Sequence, residues 1–468
     1  MTFSTSSAIV LALALARSSM AATGDLDTTF GQNGVALTGL VDVDQIISRC
    51  APTAQPDGKI LLCGTRFLSE SSESSFFVAR FTADGHLDPT FSFDGLVTID
   101  FDGGSDFAAA LALQSDGRIV VVGRSSNPLA PSTLANFAIA RLLDDGTLDP
   151  EFGGGTGRKR IAFDLDAGDG EDVAADVAIQ PDGRIVVAGT VATTSNGTDF
   201  GVVRLLPDGS PDSSFNLTGK VVVGLNLAGS ANFDDAAMSV AIDSAGRILV
   251  AGNSDNGSLG SDFSIVRLLR NGALDPNFDS DGRAHFGFDV GMSANDRLSG
   301  MTLQHDGRIL LVGAADVSPT STINADIGLM RLQPDGTLDA GFGFSGKTLV
   351  SFDLVPDGFE LAGDVVEQAD GKLDVGGAAA SPTANLLAVM VQLNADGSPD
   401  VSFGTFGKRV YDFGLTAIGG QAILNLGFQG ERILASGIVI VPGPNANSVI
   451  DDFIVRLADD TVFANGFE

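Results

Sequence analysis

Tryptophan is absent from this 468-residue chain, tyrosine occurs once, cysteine twice and histidine three times. Each shortage removes a class of chemistry. Tyr and Trp are the rings that serve wet binding surfaces, so sugar-stacking platforms are not expected, and the 31 Phe read as core filling. Three scattered His and two Cys leave little for a zinc site. No G-x-S-x-G occurs and no Ser has a companion His at an informative spacing, so no triad is legible. Basic residues are scarce too: 27 Lys and Arg stand against 59 Asp and Glu, a net charge of −32. A surface that negative repels nucleic acid and anionic lipid.

Long apolar runs are also missing. The run from Ala8 to Ala16 is far below the ~20 residues of a membrane span, and the small residues Ser19-Met20-Ala21 follow it. Residues 1–21 are therefore expected to be a secretory signal, cleaved before Ala22, and no membrane span is expected.

What the chain has in abundance is a repeat. QPDGRIVVAG, from Gln180, recurs as QPDGKILLCG, QSDGRIVVVG, DSAGRILVAG, QHDGRILLVG, QADGKLDVGG and, degraded, FQGERILASG. Its turn glycines are Gly58, Gly117, Gly183, Gly246, Gly307, Gly371 and Gly430, at spacings of 59, 66, 63, 61, 64 and 59. A second block follows each turn, FFVAR ending at Arg80 being the first, and in the sixth copy Gln392 replaces the arginine. A third block carries another turn and a Phe, as in DGHLDPTF from Asp84 to Phe91. The N-terminal GDLDTTFG, from Gly24, is a copy of that third block standing alone.

Each period reads as four short strands, because Gly and Asp punctuate every boundary and no segment is long enough for a helix. In the third copy Ala175, Val177 and Ile179 alternate with polar or small residues, whereas RIVVA is apolar throughout, as in a strand buried on both faces. Four-stranded units can stack in a line or close as a ring. A linear array needs polar caps, and none is visible. The chain instead starts inside the period and stops on DDFIVRL, so its two ends are expected to complete one unit together, with Val35 to Leu40 pairing against DDFIVRL.

These QPDGKI-type turns, F-x-x-x-R-L strands and DG-x-LD-x-x-F-G segments resemble the bacterial delta-60 repeat family, over roughly Gly24 to Leu457. The resemblance implies an all-β, seven-bladed β-propeller built from ~60-residue four-stranded repeats, secreted, with no established common activity. The organisation expected is a signal at 1–21, one propeller at 22–457 and a short tail, ADDTVFANGFE, at 458–468.

Chemistry on a symmetric scaffold should show as asymmetry between copies. His86, His285 and His305 break the repeat but read as solvated or packed residues. The loop DLDAGDGED offers one calcium candidate, Asp164, Asp166, Asp169 and Asp172, although its spacing misses the D-x-D-x-D-G frame. Against it, an acid stands eleven residues before the turn glycine in five copies: Asp106, Asp172, Asp235, Asp296 and Glu360. A position shared by copies is expected to accept backbone N–H bonds at a strand corner. The strand arginines are expected to pair with the Asp of LD-x-x-F.

No catalytic residue or cofactor is assigned. The expected function is a secreted or cell-surface scaffold, extracytoplasmic and monomeric, binding a protein or small ligand on one face; the alternative is a hydrolase or lyase with an acidic site at the channel. Export argues for a disulfide between Cys50 and Cys63. A three-residue Pro-Asp-Gly hairpin argues against it, since Cys50 then opposes Gly64 and Cys63 opposes Ala51, and free thiols are expected.

Overall fold

A computed structural model describes residues 24–458 apart from 40–44, 49, 68–72, 127–134, 164, 166–169, 194–196, 226–232, 256–259, 292–294, 319–323, 384, 414–419 and 443–447. The expected signal and nearly all of the expected tail lie outside the described residues. Among those described there is no helix, and so none that is long and apolar enough to cross a membrane.

The third repeat shows how the sequence makes a module. Val173–Ile179 runs into Pro-Asp-Gly, and Ile185–Thr193 returns antiparallel. The Gln180 N–H donates to the Arg184 carbonyl at 2.8 Å, and Gly183 takes the left-handed corner at φ 83°, which a residue without Cβ adopts freely. Ile179 faces Ile185 and Val177 faces Val187, the register expected. Gly197–Leu205 and Lys220–Val223 complete the four-stranded sheet.

Six sheets form among the described residues. One joins the third and fourth modules, because Gly197 and Thr198 pair in parallel with Phe233 and Asp234. Parallel bridges Ser74 to Ser105, Ala325 to Phe359 and Leu386 to Gly420 repeat that relation elsewhere. Each such bridge runs from the third strand of one module to the first strand of the next, so successive modules share one orientation. All the Pro-Asp-Gly-type turns and third-block turns therefore lie at one end, the turn end, and the connections of variable length lie at the other, the loop end.

The chain ends meet as expected. Val35–Leu37 pairs antiparallel with Ser448–Arg456, matching Val35 to Val455 and Leu37 to Phe453. The described apolar core falls into clusters that each fill a seam between consecutive modules. A further cluster joins Phe30, Ala36, Leu434 and Ile454 to Ile60, Leu62 and Phe77 of the first module.

Two expectations need correction. The inner strand of every module after the first carries a β-bulge, between Ala174 and Asp176 in the third, which buries Ala174 rather than Ala175. The first module enlarges that bulge. Thr53 and Ala54 keep the expected partners, Leu61 and Ile60, but Ser48 already faces Gly64, so four residues on one strand oppose two on the other. Cys50 sits in this loop-out, 5.3 Å from Cys63 between Cα atoms, and the two form a disulfide. The hairpin register was right, and the bulge beyond it cancels the argument for free thiols.

Candidate functional site

At the turn end the repeat builds a ladder of buried ions. Arg80, Arg141, Arg204, Arg267 and Arg331 contact Asp88, Asp149, Asp212, Asp275 and Asp339 at 2.7–2.9 Å. Each guanidinium lies 4.6–4.8 Å over the ring of the following repeat Phe. Each also donates to a turn carbonyl of the next module, Arg204 to Arg270 for one. In the seventh module Arg456 finds these partners in the N-terminal block, Asp27 at 2.9 Å and the Phe30 ring, and donates to the first module's Ala83 carbonyl at 2.7 Å. The arginine pairing expected from sequence holds. The sixth module solves the same problem differently: Gln392 and Gln368 donate to buried Asp374, and Lys372 pairs with Asp400.

Burial would raise these carboxyls, but donors outweigh it. Thr90 with Arg80 and Lys59 holds Asp88 at about 2, and Ser214 with Arg184 and Arg204 holds Asp212 at about 2. They are ionised structural partners.

The loop end behaves in the opposite way. The five shared acids sit buried where each inner strand begins, and each accepts a backbone N–H from the incoming connection: Phe101 to Asp106, Phe163 to Asp172, Leu225 to Asp235, Phe288 to Asp296 and Phe352 to Glu360, at 2.5–2.8 Å. The corner role expected for this position is what the geometry shows. Burial first, then other acids, pushes up Asp106, Asp235, Asp296 and Glu360: Asp235, beside Asp199, Asp234 and Asp255, reaches about 6, and so does Asp296, beside Asp262 and Asp289.

Two further acids lie deeper, just past the bulge of the inner strand. Asp176 and Asp364 occupy a column that holds Ala110, Ser239, Gly300 and Asn425 in neighbouring modules. Asp176 accepts the N–H of Val240 in the next module at 2.8 Å, and Asp364 accepts that of Leu426 at 3.0 Å. Both residues are half-buried. Burial lifts Asp176 to about 6; burial and the like charge of Asp176 lift Asp364 to about 7. Sequence reading missed both, although a carboxyl in a column of small residues is the asymmetry it was looking for.

Of the calcium candidates, Asp172 holds the Phe163 N–H, and Asp164, Asp166 and Asp169 lie outside the described residues. Among the described residues no group of three His, Cys, Asp or Glu is arranged to hold a metal ion. His86 and His285 are exposed, and His305 meets Glu367 of the next module at 2.8 Å.

Comparison with known proteins returns the scaffold. The family described as domain of unknown function (DUF5122) beta-propeller matches residues 55–91, 114–152, 180–215, 246–278, 304–342 and 368–403. No curated protein matches. Among solved structures, a protein of unknown function from Dyadobacter fermentans is similar at 14% identity and TM-score 0.45, over 91% of this chain and 100% of that one. A PL25 ulvan lyase is similar at 10% and 0.46, over 90% and 96%. The α-L-arabinofuranosidase Arb93A from Fusarium graminearum is similar at 13% and 0.39, over 74% and 91%. The six family matches fall on the hairpin and third-block segments from which the modules are built, and the chain is a β-propeller repeat protein.

Proposed function

We propose that the seven modules close as a seven-bladed β-propeller, and that it is an extracytoplasmic scaffold binding a protein or ligand at its loop end without turnover. Closure is supported by the Arg456 contacts to Asp27 and Ala83, which repeat across the chain ends the contact that five other junctions make. Export is supported by the disulfide, which persists in oxidising compartments. One observation carries the absence of turnover. The repeat acids at the loop end, and Asp176 and Asp364, each accept a backbone N–H from an adjoining segment, so these carboxylates hold the ring together. The connections that differ between modules all belong to this end, which is where a rigid ring presents variable contacts.

A second reading has its own support: Asp364 and Asp176 titrate near neutrality, as a general acid and base would. The two readings separate in one experiment. The mature protein is incubated with a panel of neutral and anionic polysaccharides, reducing ends and unsaturated products are measured, and a photo-crosslinker at the exposed Val290 of the loop end reports bound molecules. The scaffold reading expects crosslinked adducts and no product. Product formed by the wild type and lost in Asp176→Asn/Asp364→Asn overturns it.

A further inference from the structure

Four side chains at the turn end have no account in the packing. After the buried Phe of each third block the chain makes a short tip before the fourth strand. The tips of modules one, three, five and six carry Phe93, Leu217, Phe344 and Phe406, exposed to 98%, 88%, 86% and 73%. Phe93, Leu217 and Phe344 stand two residues after the buried Phe, where the other modules carry Gly154, Ser280, Thr405 and Gln32, and Phe406 stands one residue further on. Two local penalties coincide at the apolar tips. The side chains stand in water, and Phe93, Leu217 and Phe406 hold φ of 73°, 62° and 53°, a backbone that suits glycine, as at Gly154 with 75°.

The tips are held out. Ser92 donates its N–H to the Asp145 carbonyl of the next module at 2.9 Å, Asn216 to Asn271 at 2.8 Å and Gly343 to Asp396 at 2.7 Å. Because the modules share one orientation, all four side chains project from the same end, on separate modules. On the closed ring proposed above, such points lie on one face and form no pocket. Charge narrows the choice: the Pro-Asp-Gly aspartates Asp57, Asp116 and Asp182 pair with Lys59, Arg118 and Arg184, whereas Asp84, Asp145, Asp208, Asp335 and Asp396 of the third-block turns accept from Thr and Ser hydroxyls and keep a negative charge that an anionic surface would repel. The crowded acids of the loop end face away.

We propose that the turn end docks on a zwitterionic lipid surface, with Phe93, Leu217, Phe344 and Phe406 as separate anchors in the headgroup boundary. A folded partner would need pockets spaced as the modules are, whereas a fluid boundary receives isolated apolar side chains without matching their shape. Headgroups without net charge spare the third-block aspartates the repulsion of an anionic surface. This contact leaves the loop end free and is independent of what binds there.

Flotation of the mature protein with phosphatidylcholine vesicles tests the proposal. The wild type is expected to rise with the vesicles, in high salt as well as low. Phe93→Ser/Leu217→Ser/Phe344→Ser/Phe406→Ser is expected to lower the bound fraction by about tenfold or more, with an unchanged melting temperature. Val290→Ser, at the loop end, leaves binding as it was. A wild type that stays with the buffer, or a quadruple variant that floats as well as the wild type, overturns the proposal. So does a concentration-dependent dimer that the quadruple variant abolishes in the absence of vesicle binding, which would make a second copy the occupant.

Discussion

The two ends of the modules use the same residue in opposite ways. Aspartates of the turn end, among them Asp57, Asp88, Asp116, Asp149, Asp212, Asp275, Asp339 and Asp400, sit below the ordinary carboxylate range. At the loop end and just past the bulge, Asp106, Asp176, Asp199, Asp235, Asp296, Asp326, Glu360 and Asp364 sit above it. Burial raises a carboxyl at either end. What differs is the company: hydroxyls and guanidinium groups at one end, backbone N–H groups and other acids at the other. Asp279 is the exception that identifies the cause, because it lies at the turn end but beside Asp281 and Asp335, and it is raised. Most turn-end carboxylates thus have donors that favour their charge, while the loop end holds charge that a proton or a cationic group would relieve.

The sharpest break of this comparison is to remove a contact of the turn end. Deleting residues 451–468 takes away Arg456 and the strand that Val35–Leu37 pairs with, leaving a sheet edge open and Phe30 uncovered. The shortened protein is expected to lose most of its soluble yield, read by gel filtration; a monomer with wild-type melting would contradict the closed ring. Arg204→Ala tests a single rung. Asp212 keeps Arg184 at 2.8 Å, but the stacking on Phe215 and the bond to the Arg270 carbonyl go, for a loss of about 3 kcal/mol in denaturant unfolding. Asp199→Asn, at the loop end, is expected to be neutral or stabilising by less than about 1 kcal/mol at pH 8, because it removes a carboxyl that burial already disfavours. Equal losses from the two would erase the distinction between the ends.

The disulfide ranks next. Replacing Cys50 and Cys63 with Ser opens a loop of thirteen residues and is expected to cost about 2–3 kcal/mol. A maleimide should find no thiol in the denatured, unreduced protein and two after reduction.

Most of the turn end was legible in the sequence because its partners lie at short, fixed offsets inside one period. Arg80 and Asp88 are eight residues apart, and that spacing recurs, so repetition stood in for a contact map. The inner strand was legible only as far as its register near the turn. The bulge has no residue signature, since Ala109, Ala175 and Met238 fill it in different modules, and the disulfide depended on it. Asp176 and Asp364 were hidden for another reason. Their character comes from burial between modules, where Val240 and Leu426, more than sixty residues on, donate to them, and from the charge of one on the other. The exposed tips were invisible as well, because an apolar residue after the repeat Phe reads as more core until the structure turns it outward.

The smallest effect bears on the comparison as a whole, since acid acts on both ends with opposite sign. Asp176, Asp235 and Asp296 at about 6 and Asp364 at about 7 bind protons more tightly folded than unfolded. Between an ordinary carboxyl value near ~4 and those raised values the native state holds more protons, so stability falls as pH rises through that window. Asp88 and Asp212, at about 2, hold fewer, so their contribution is complete above about pH 4 and is lost as pH falls toward 2. The melting temperature is therefore expected to be highest near about pH 5, with a gain over pH 8 on the order of 2 kcal/mol, and to drop steeply below about pH 3.5. In Asp176→Asn/Asp364→Asn the gain between pH 8 and 5 should shrink while the acid limb stays in place, because the substituted pair belongs to one end only. A double variant whose whole profile shifts together would mean that the two ends do not titrate as separate systems.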